Sequence, residues 1–295
     1  MSVSVAPARA ARPTERRRRR SRATILYLTA AVLGVIVFAV PLLWAVFRSF
    51  QPESLVTAYP TWKDFHQLTF ANYSGIFGGS IDLWRYVANS LIVALGTALL
   101  VTAISTLAGY GLARFRFRGS NVVFAVILVT FMVPFQAVLT PLFLELGTVG
   151  LTDSRFGLIL FYTTFNLPFG VFVMRNTFMS LPVELEDSAR MDGAGTLRIL
   201  ALVLRPMFLP GAATTMLYAF LASWTDFLGA LTFLTRTNLL TLPVGLYNLE
   251  AGNFGQLNYG YLLAGAVVSM IPCVVLFIAL QRYYVRGLTS GALKG

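Results

Sequence analysis

The chain has 295 residues, 57% hydrophobic and 12% charged, with net charge +11 and mean hydropathy +0.72. Soluble domains carry roughly a quarter charged residues, so this composition excludes a water-soluble fold and reads as an integral membrane protein. One cysteine, Cys273, and one histidine, His66, leave no intramolecular disulfide or thiolate metal centre and argue against a histidine zinc site or a Ser-His-Asp triad.

Eight arginines fall in the first 22 residues, five of them in the run 16–20. They precede an apolar stretch over 24–47 with no small-x-small cleavage site after it. This reads as a retained first span whose positive flank fixes orientation and meets anionic headgroups, in preference to a nucleic-acid-binding or nuclear-targeting run. Further apolar windows lie at 86–113, 122–144, 156–174, 207–225 and 261–281. Lipid offers backbone groups no hydrogen-bond partner, so windows of this length predict helices. The fold class is all-α, a polytopic membrane protein with six transmembrane helices.

With the N-terminus inside, inner segments hold 18 basic residues and outer loops hold five, Arg48, Lys63, Arg85, Arg155 and Arg236. The positive-inside rule then places both chain ends in the cytoplasm. The expected organisation is a basic cytoplasmic tail (1–23), a first helix (24–47), an extracellular loop (48–85), a five-helix core (86–281) and a cytoplasmic tail (282–295). Trp44, Trp62, Trp84 and Trp224 fall near predicted outer ends, where an interfacial aromatic belt accounts for them. No internal repeat is visible, which gives an inverted-repeat carrier no support.

One inner segment departs from its surroundings. Residues 181–206, LPVELEDSARMDGAGTLRILALVLRP, carry Glu184, Glu186, Asp187 and Asp192, four of the twelve acidic residues. Ser180 is placed to cap a helix and Pro182 suits a first turn. Glu184, Glu186 and Asp187 then sit where the helix dipole favours negative charge. Leu185, Ser188 and Ala189 are spaced to share a face, and Gly193 suits a left-handed turn. A second helix runs on toward Pro206. The pattern is helix, turn, helix at the inner face. An interfacial helix on lipid is the rival, but the first helix is acidic and inner-leaflet headgroups are negative. Docking onto a partner fits better. The two lysines, Lys63 and Lys294, follow no GxxxxG pattern, so the chain has no P-loop and any ATP must be bound by another subunit.

LPVELEDSARMDGA resembles the EAA loop of ABC importer permeases, whose sugar-importing branch commonly reads IPxELEEAARIDGA. The family Glu falls on Asp187, its two alanines on Ser188 and Ala189, and its glycine on Gly193. Acid replaces acid at Asp187 and small replaces small at Ser188. The stretch 89–119 is similar to the start of that branch's permease core. SWTDFLGALTFL (223–234) resembles its WNEF region, with Thr225 and Asp226 replacing Asn and Glu, and QRYYVRGLTSGALKG resembles the tail of the smaller six-span subunit of maltose-type importers.

The resemblance implies a type I ABC importer permease fold, with a coupling loop at 177–206 whose contact residues are Glu184, Asp187, Ser188, Ala189, Asp192, Gly193 and Ala194. It implies a second permease forming a heterodimer, an ATPase homodimer that holds the ATP and Mg, and an extracellular solute-binding protein. It implies no catalytic residue, cofactor or metal on this chain, which is a transport subunit and not an enzyme. It implies a carbohydrate substrate, and the expected location is the bacterial cytoplasmic membrane. Gln136, Thr140 and Asn166 are polar positions within predicted spans and are candidates for the sugar path, although Thr often bonds its own helix and Asn or Gln a neighbour. Asp226 is placed near the outer interface, too shallow for proton coupling. The outer segment 231–259 suits either a contact with the binding protein or a re-entrant cover. The rival functions are a self-contained carrier or channel, which would want mid-membrane ionisable pairs or repeats, and a lipid hydrolase, which would want a cluster of His, Asp, Glu or Lys.

Overall fold

The computed structural model describes residues 13–59, 61–78, 82–251 and 257–292, so Arg9, Arg12 and Lys294 of the inner charge count and part of the 231–259 segment lie outside the described residues. The described residues are helical and contain no strand.

Helix α1 (Pro13–Ser49) carries outward-facing apolar side chains, among them Leu26, Leu33, Phe38 and Leu43, as a lipid-facing helix should. A short segment follows with α2 (Glu53–Val56), a 3₁₀ turn (Trp62–His66) and α3 (Ala71–Gly78). The buried Arg48 guanidinium ties it together by donating to the carbonyls of Leu55, Val56 and Ala58, and Asn72 donates to the carbonyls of Ser49 and Gln51.

Helices α4 (Leu83–Arg114) and α7 (Arg155–Met179) form the centre of the molecule. Their crossing is close because Gly109 has no side chain: a Cβ there would lie 2.7 Å from the Arg175 amide nitrogen. Small residues at a helix crossing are the means by which membrane helices approach. Between them in sequence come α5 (Ser120–Thr130) and α6 (Phe135–Thr148). These were expected as one span over 122–144. Instead the pair bends by 99° at a four-residue break. Pro134 explains it: the residue lacks an N–H and disfavours helical backbone at Val133 before it.

Helix α8 (Glu184–Met191) and one turn, α9 (Thr196–Arg198), lead into a π-helical stretch (Ile199–Leu204) and then α10 (Arg205–Trp224). Thr196–Trp224 is one continuous span-length unit. Helices α11 (Leu228–Phe233) and α12 (Leu242–Glu250), with a 3₁₀ turn (Thr237–Leu239) between them, fold back against the helix ends. Asn89 donates to the carbonyls of Asn238 and Leu240, and Ser90 accepts from the Leu242 amide, so the start of α4 pins this return. Helix α13 (Tyr259–Ala292) closes the chain. Among the described residues, five helices are long and apolar enough to cross a membrane, six if the bent pair is one span.

Trp224 is a correction to the expected aromatic belt. It is buried, stacks on Phe220 at 5.7 Å, and donates its indole N–H to the Ser269 carbonyl at 3.0 Å. Its polar handle is satisfied inside the protein, so it joins α10 to α13 instead of anchoring at an interface.

Candidate functional site

Helix α7 runs five residues beyond its expected end at Met174, to Met179. Ser180 is therefore spent closing α7, its hydroxyl donating to the Thr177 carbonyl at 2.7 Å, and does not cap the next helix. Helix α8 begins at Glu184 after Val183, with no side-chain cap. Its N-terminal charge comes from Glu184, Glu186 and Asp187, which suit the dipole.

The helix has two unlike faces. Glu184, Asp187, Ser188 and Met191 are exposed and stand at i, i+3, i+4 and i+7, a single stripe. Met191 is 89% exposed, a large apolar side chain among carboxylates. The opposite face carries Glu186 and Ala189. Ala189 packs in a buried cluster with Tyr110, Met174, Phe178, Ile199 and Leu204. Ser188 and Ala189 were expected on one face with Leu185. They diverge, with Ser188 outward and its hydroxyl donating to the Glu184 carbonyl at 2.8 Å.

Glu186, read from the sequence only as a first-turn acid, has a further part. It is 0% exposed. The Tyr110 hydroxyl donates to Oε2 at 2.9 Å, Arg114 Nε to Oε1 at 2.5 Å, and Arg190 Nη2 reaches Oε2 at 3.4 Å. Arg114 also donates to the Leu181 carbonyl at 3.0 Å. A buried carboxylate is tolerable only when paired and hydrogen-bonded in this way. The clamp fixes α8 to the end of α4. A signal was present: Tyr110 and Arg114 stand at i and i+4 on one helix face. By contrast the Asp187–Arg190 pair at 3.1 Å is open to solvent and contributes little.

The turn after α8 forms at Gly193, with φ +78°. Gly193 N–H donates to the Arg190 carbonyl at 2.9 Å and Ala194 N–H to the Ala189 carbonyl at 3.0 Å. This pair of bonds is the Schellman closure of a helix end. Ala194 packs against the buried cluster, while Asp192 stays exposed. Six of the seven coupling candidates thus lie at the surface or in the turn, and Ala189 lies beneath them.

At the other end of the core, the α5–α6 break meets α7 and α10 around a cavity of about 590 Å³. Asn166 lines it, buried, with its amide donating to the Tyr162 carbonyl at 2.7 Å. Gln136 and Thr140 are exposed on α6 and do not line it, because the face of α6 that meets the cavity carries Phe135, Val138 and Leu142 at i, i+3 and i+7. Asp226 does line it, and its Oδ2 accepts from the Tyr162 hydroxyl and the Gly229 amide, each at 2.7 Å. Among the described residues no group of three or more His, Cys, Asp or Glu could hold a metal.

Comparison with known proteins matches this architecture. The family model described as "Binding-protein-dependent transport system inner membrane component" covers residues 103–290. The arabinooligosaccharides transport system permease protein of Bacillus subtilis (strain 168) is 35% identical over 228 residues, 77% of this chain and 80% of its own. The trehalose transport system permease protein of Mycobacterium tuberculosis (strain CDC 1551 / Oshkosh) is 34% identical over 90% of this chain and 97% of its own. The trehalose/maltose transport system permease protein of Thermococcus litoralis is 30% identical over 92% and 97%. A chain of a bacterial ABC transporter that imports the acidic polysaccharide alginate superposes with TM-score 0.74 at 25% identity, covering 90% of this chain and 98% of that one. The same kind of transporter in complex with its alginate pentasaccharide-bound periplasmic protein shares the fold at TM-score 0.62 and 16% identity, over 90% and 93%. The family model spans more than half of the chain and the named relatives are permease proteins, so the chain belongs to the family of binding-protein-dependent transport system inner membrane components: it is a membrane permease subunit, not an enzyme.

Proposed function

We propose that this chain is one of two permeases in an ATP-driven importer that carries a carbohydrate across a bacterial cytoplasmic membrane. The relatives named above support the substrate class, since they serve arabinooligosaccharides, trehalose and maltose. The excess of basic residues at the predicted inner ends supports an orientation with both termini and α8 in the cytoplasm. In that orientation α8 docks on a separate ATPase homodimer that holds ATP and Mg. A second permease completes the pore, and a solute-binding protein delivers the sugar from outside. Lipid surrounds the bundle, and nucleic acid plays no part.

The observation that carries this reading is the two-faced α8. Its inner face is locked to α4 through Glu186, and its outer stripe of Glu184, Asp187, Ser188 and Met191 is exposed. A rigid element that moves with the membrane helices is what coupling to a soluble motor requires. A self-contained carrier has no use for such a stripe.

The test is purification of the tagged chain from native membranes in mild detergent, with every co-purifying protein identified, followed by uptake in proteoliposomes. A second permease and a P-loop ATPase, with sugar uptake that needs both ATP and the binding protein, are the expected result. A chain that comes out alone and moves solute without ATP would return the choice to a carrier or channel.

A further inference from the structure

The cavity beside the α5–α6 break has a chemistry of its own. Its volume of about 590 Å³ falls within the range of small-molecule sites. Among its described lining residues Asp226 is the only charged side chain. The rest of the wall is apolar or neutral, with Phe131, Phe165, Tyr218 and Asn166 among it. Irregular backbone at membrane depth persists only where it is buried in protein or lines a watery cavity. Asp226 follows the end of α10 and faces this space from the segment that leads into α11.

The Asp226 carboxylate is held in place and has capacity left. An ionised carboxylate accepts hydrogen bonds at about four lone-pair sites and donates none. Both protein donors, the Tyr162 hydroxyl and the Gly229 amide, go to Oδ2. The Asn166 amide is oriented by its bond to the Tyr162 carbonyl. The Tyr218 ring is backed by Phe169, with centroids 4.0 Å apart, so it stands as a fixed platform. An aromatic face beside a few fixed polar groups is the composition that binds a ring bearing hydroxyls.

We propose that Asp226, Asn166 and Tyr218 form a substrate subsite on this chain that takes neutral saccharides and disfavours acidic ones. This rests on the carbohydrate-import reading and adds the class of sugar. Sugar hydroxyls donate to Asp226, and a sugar ring lies on Tyr218. A uronate would bring its carboxylate against Asp226 with no cation on this wall to offset the repulsion. The specificity is therefore opposite to that of the structural neighbour, which imports acidic alginate.

The experiment uses the whole importer in proteoliposomes, with its partner permease, ATPase and binding protein. Labelled trehalose, arabinotriose and maltotriose are compared with trimannuronate, and KM and kcat are read separately from binding-protein-stimulated ATP hydrolysis. Asp226→Asn keeps an acceptor for Tyr162 and Gly229 but removes the charge. The expected result is uptake of at least one neutral probe, lowered roughly tenfold by Asp226→Asn, as for loss of a hydrogen bond to a charged group, with stimulated ATP hydrolysis retained. Tyr218→Leu is expected to raise KM for the same probe and decides the matter if Asp226→Asn fails to assemble. Neutral uptake unchanged in both variants, or trimannuronate carried as well as the neutral probes, overturns the subsite and leaves the importer standing. No uptake of any probe while ATP hydrolysis still responds to the binding protein overturns the carbohydrate reading and the subsite together.

Discussion

Arg114 and Glu186 are 72 residues apart in the chain and meet in a buried ion pair, Nε to Oε1 at 2.5 Å. Neither is at the exposed stripe of α8, yet the pair decides whether that stripe moves with the membrane helices. Glu186→Ala leaves the Arg114 guanidinium, 9% exposed, without its partner. Removing one member of a buried pair costs about 3–5 kcal/mol, so the variant should melt well below wild type in detergent. Glu186→Gln keeps an acceptor for the Tyr110 hydroxyl and should assemble, but with weakened transmission. The expected signature is ATP hydrolysis that persists while uptake falls. Asp187→Asn, at the exposed end of a solvent-screened pair, should leave the stability unchanged to within about 0.5 kcal/mol. Equal melting of Glu186→Ala and wild type would sink the clamp.

Gly193 offers a cleaner separation of strain from crowding. A Cβ at this position meets nothing within 4 Å, so space is not the constraint; φ of +78° is. Gly193→Val forces a β-branched residue into left-handed backbone at a cost of roughly 1–2 kcal/mol or more. The variant should insert into the membrane and fold, but lose the Schellman closure that aims α8. Uptake should fall at least severalfold. Gly193→Asn, which tolerates that region, should retain most of it. Equal uptake by Val and wild type would refute the role of the turn.

At Gly109 the constraint is reversed, since the helix is regular and the space is gone. A Cβ would meet the Arg175 amide nitrogen and Met174 Cβ, each at 2.7 Å. Backbone cannot yield as a side-chain tip can, so Gly109→Leu should push α4 from α7. Overpacking typically costs 1–3 kcal/mol, and here the cost falls on the central crossing. The check is the thermal stability of the purified complex. Gly78→Ala, where nothing lies within 4 Å, is the control.

Much of this was legible before any coordinates. Hydropathy marks spans because lipid forces each backbone group to be satisfied within its own helix. The Gly193 turn was legible because only a residue without Cβ sits easily at positive φ. What escaped were relations across the chain. The Glu186 clamp joins α8 to Tyr110 and Arg114, 76 and 72 residues away, and the i, i+4 spacing of those two does not say which carboxylate they meet. Trp224 looked like a belt residue because its distance along the helix is local, whereas its partner Ser269 is 45 residues away. The break at Pro134 was written in the sequence but masked by continuous hydrophobicity, and Gln136 and Thr140 fall on the face of α6 opposite to the one that meets the cavity. Asp226 was weighed only by depth, although its meaning comes from the wall around it.

Asp153 supplies a pH test at the opposite end of the core from α8. It holds a positive φ of 53° and accepts from the Thr235 and Arg236 amides at 2.9 and 3.1 Å and from the Arg236 guanidinium. Partial burial pushes its pKa up, but the two amide bonds and Arg236 together outweigh it and hold the carboxyl below the usual carboxylate value of 3.8. The folded value is thus lower than the unfolded one. The tie is complete above the unfolded pKa and is lost as pH falls through the depressed folded value. Between pH 7 and pH 5 the outer return should stay protected against hydrogen exchange. Below the unfolded value of about 4, as pH falls on through the depressed folded value, the amides of Thr235 and Arg236 should lose protection. Asp153→Asn tolerates the left-handed backbone and can still accept from the amides, but it surrenders the ion pair. It should flatten this acid dependence while lowering protection at pH 7 by less than Asp153→Ala, which gives up the acceptors and strains the backbone as well. Hydrogen exchange of the reconstituted complex between pH 3 and 7 measures both, and an acid profile that Asp153→Asn leaves unaltered would assign the dependence to another group.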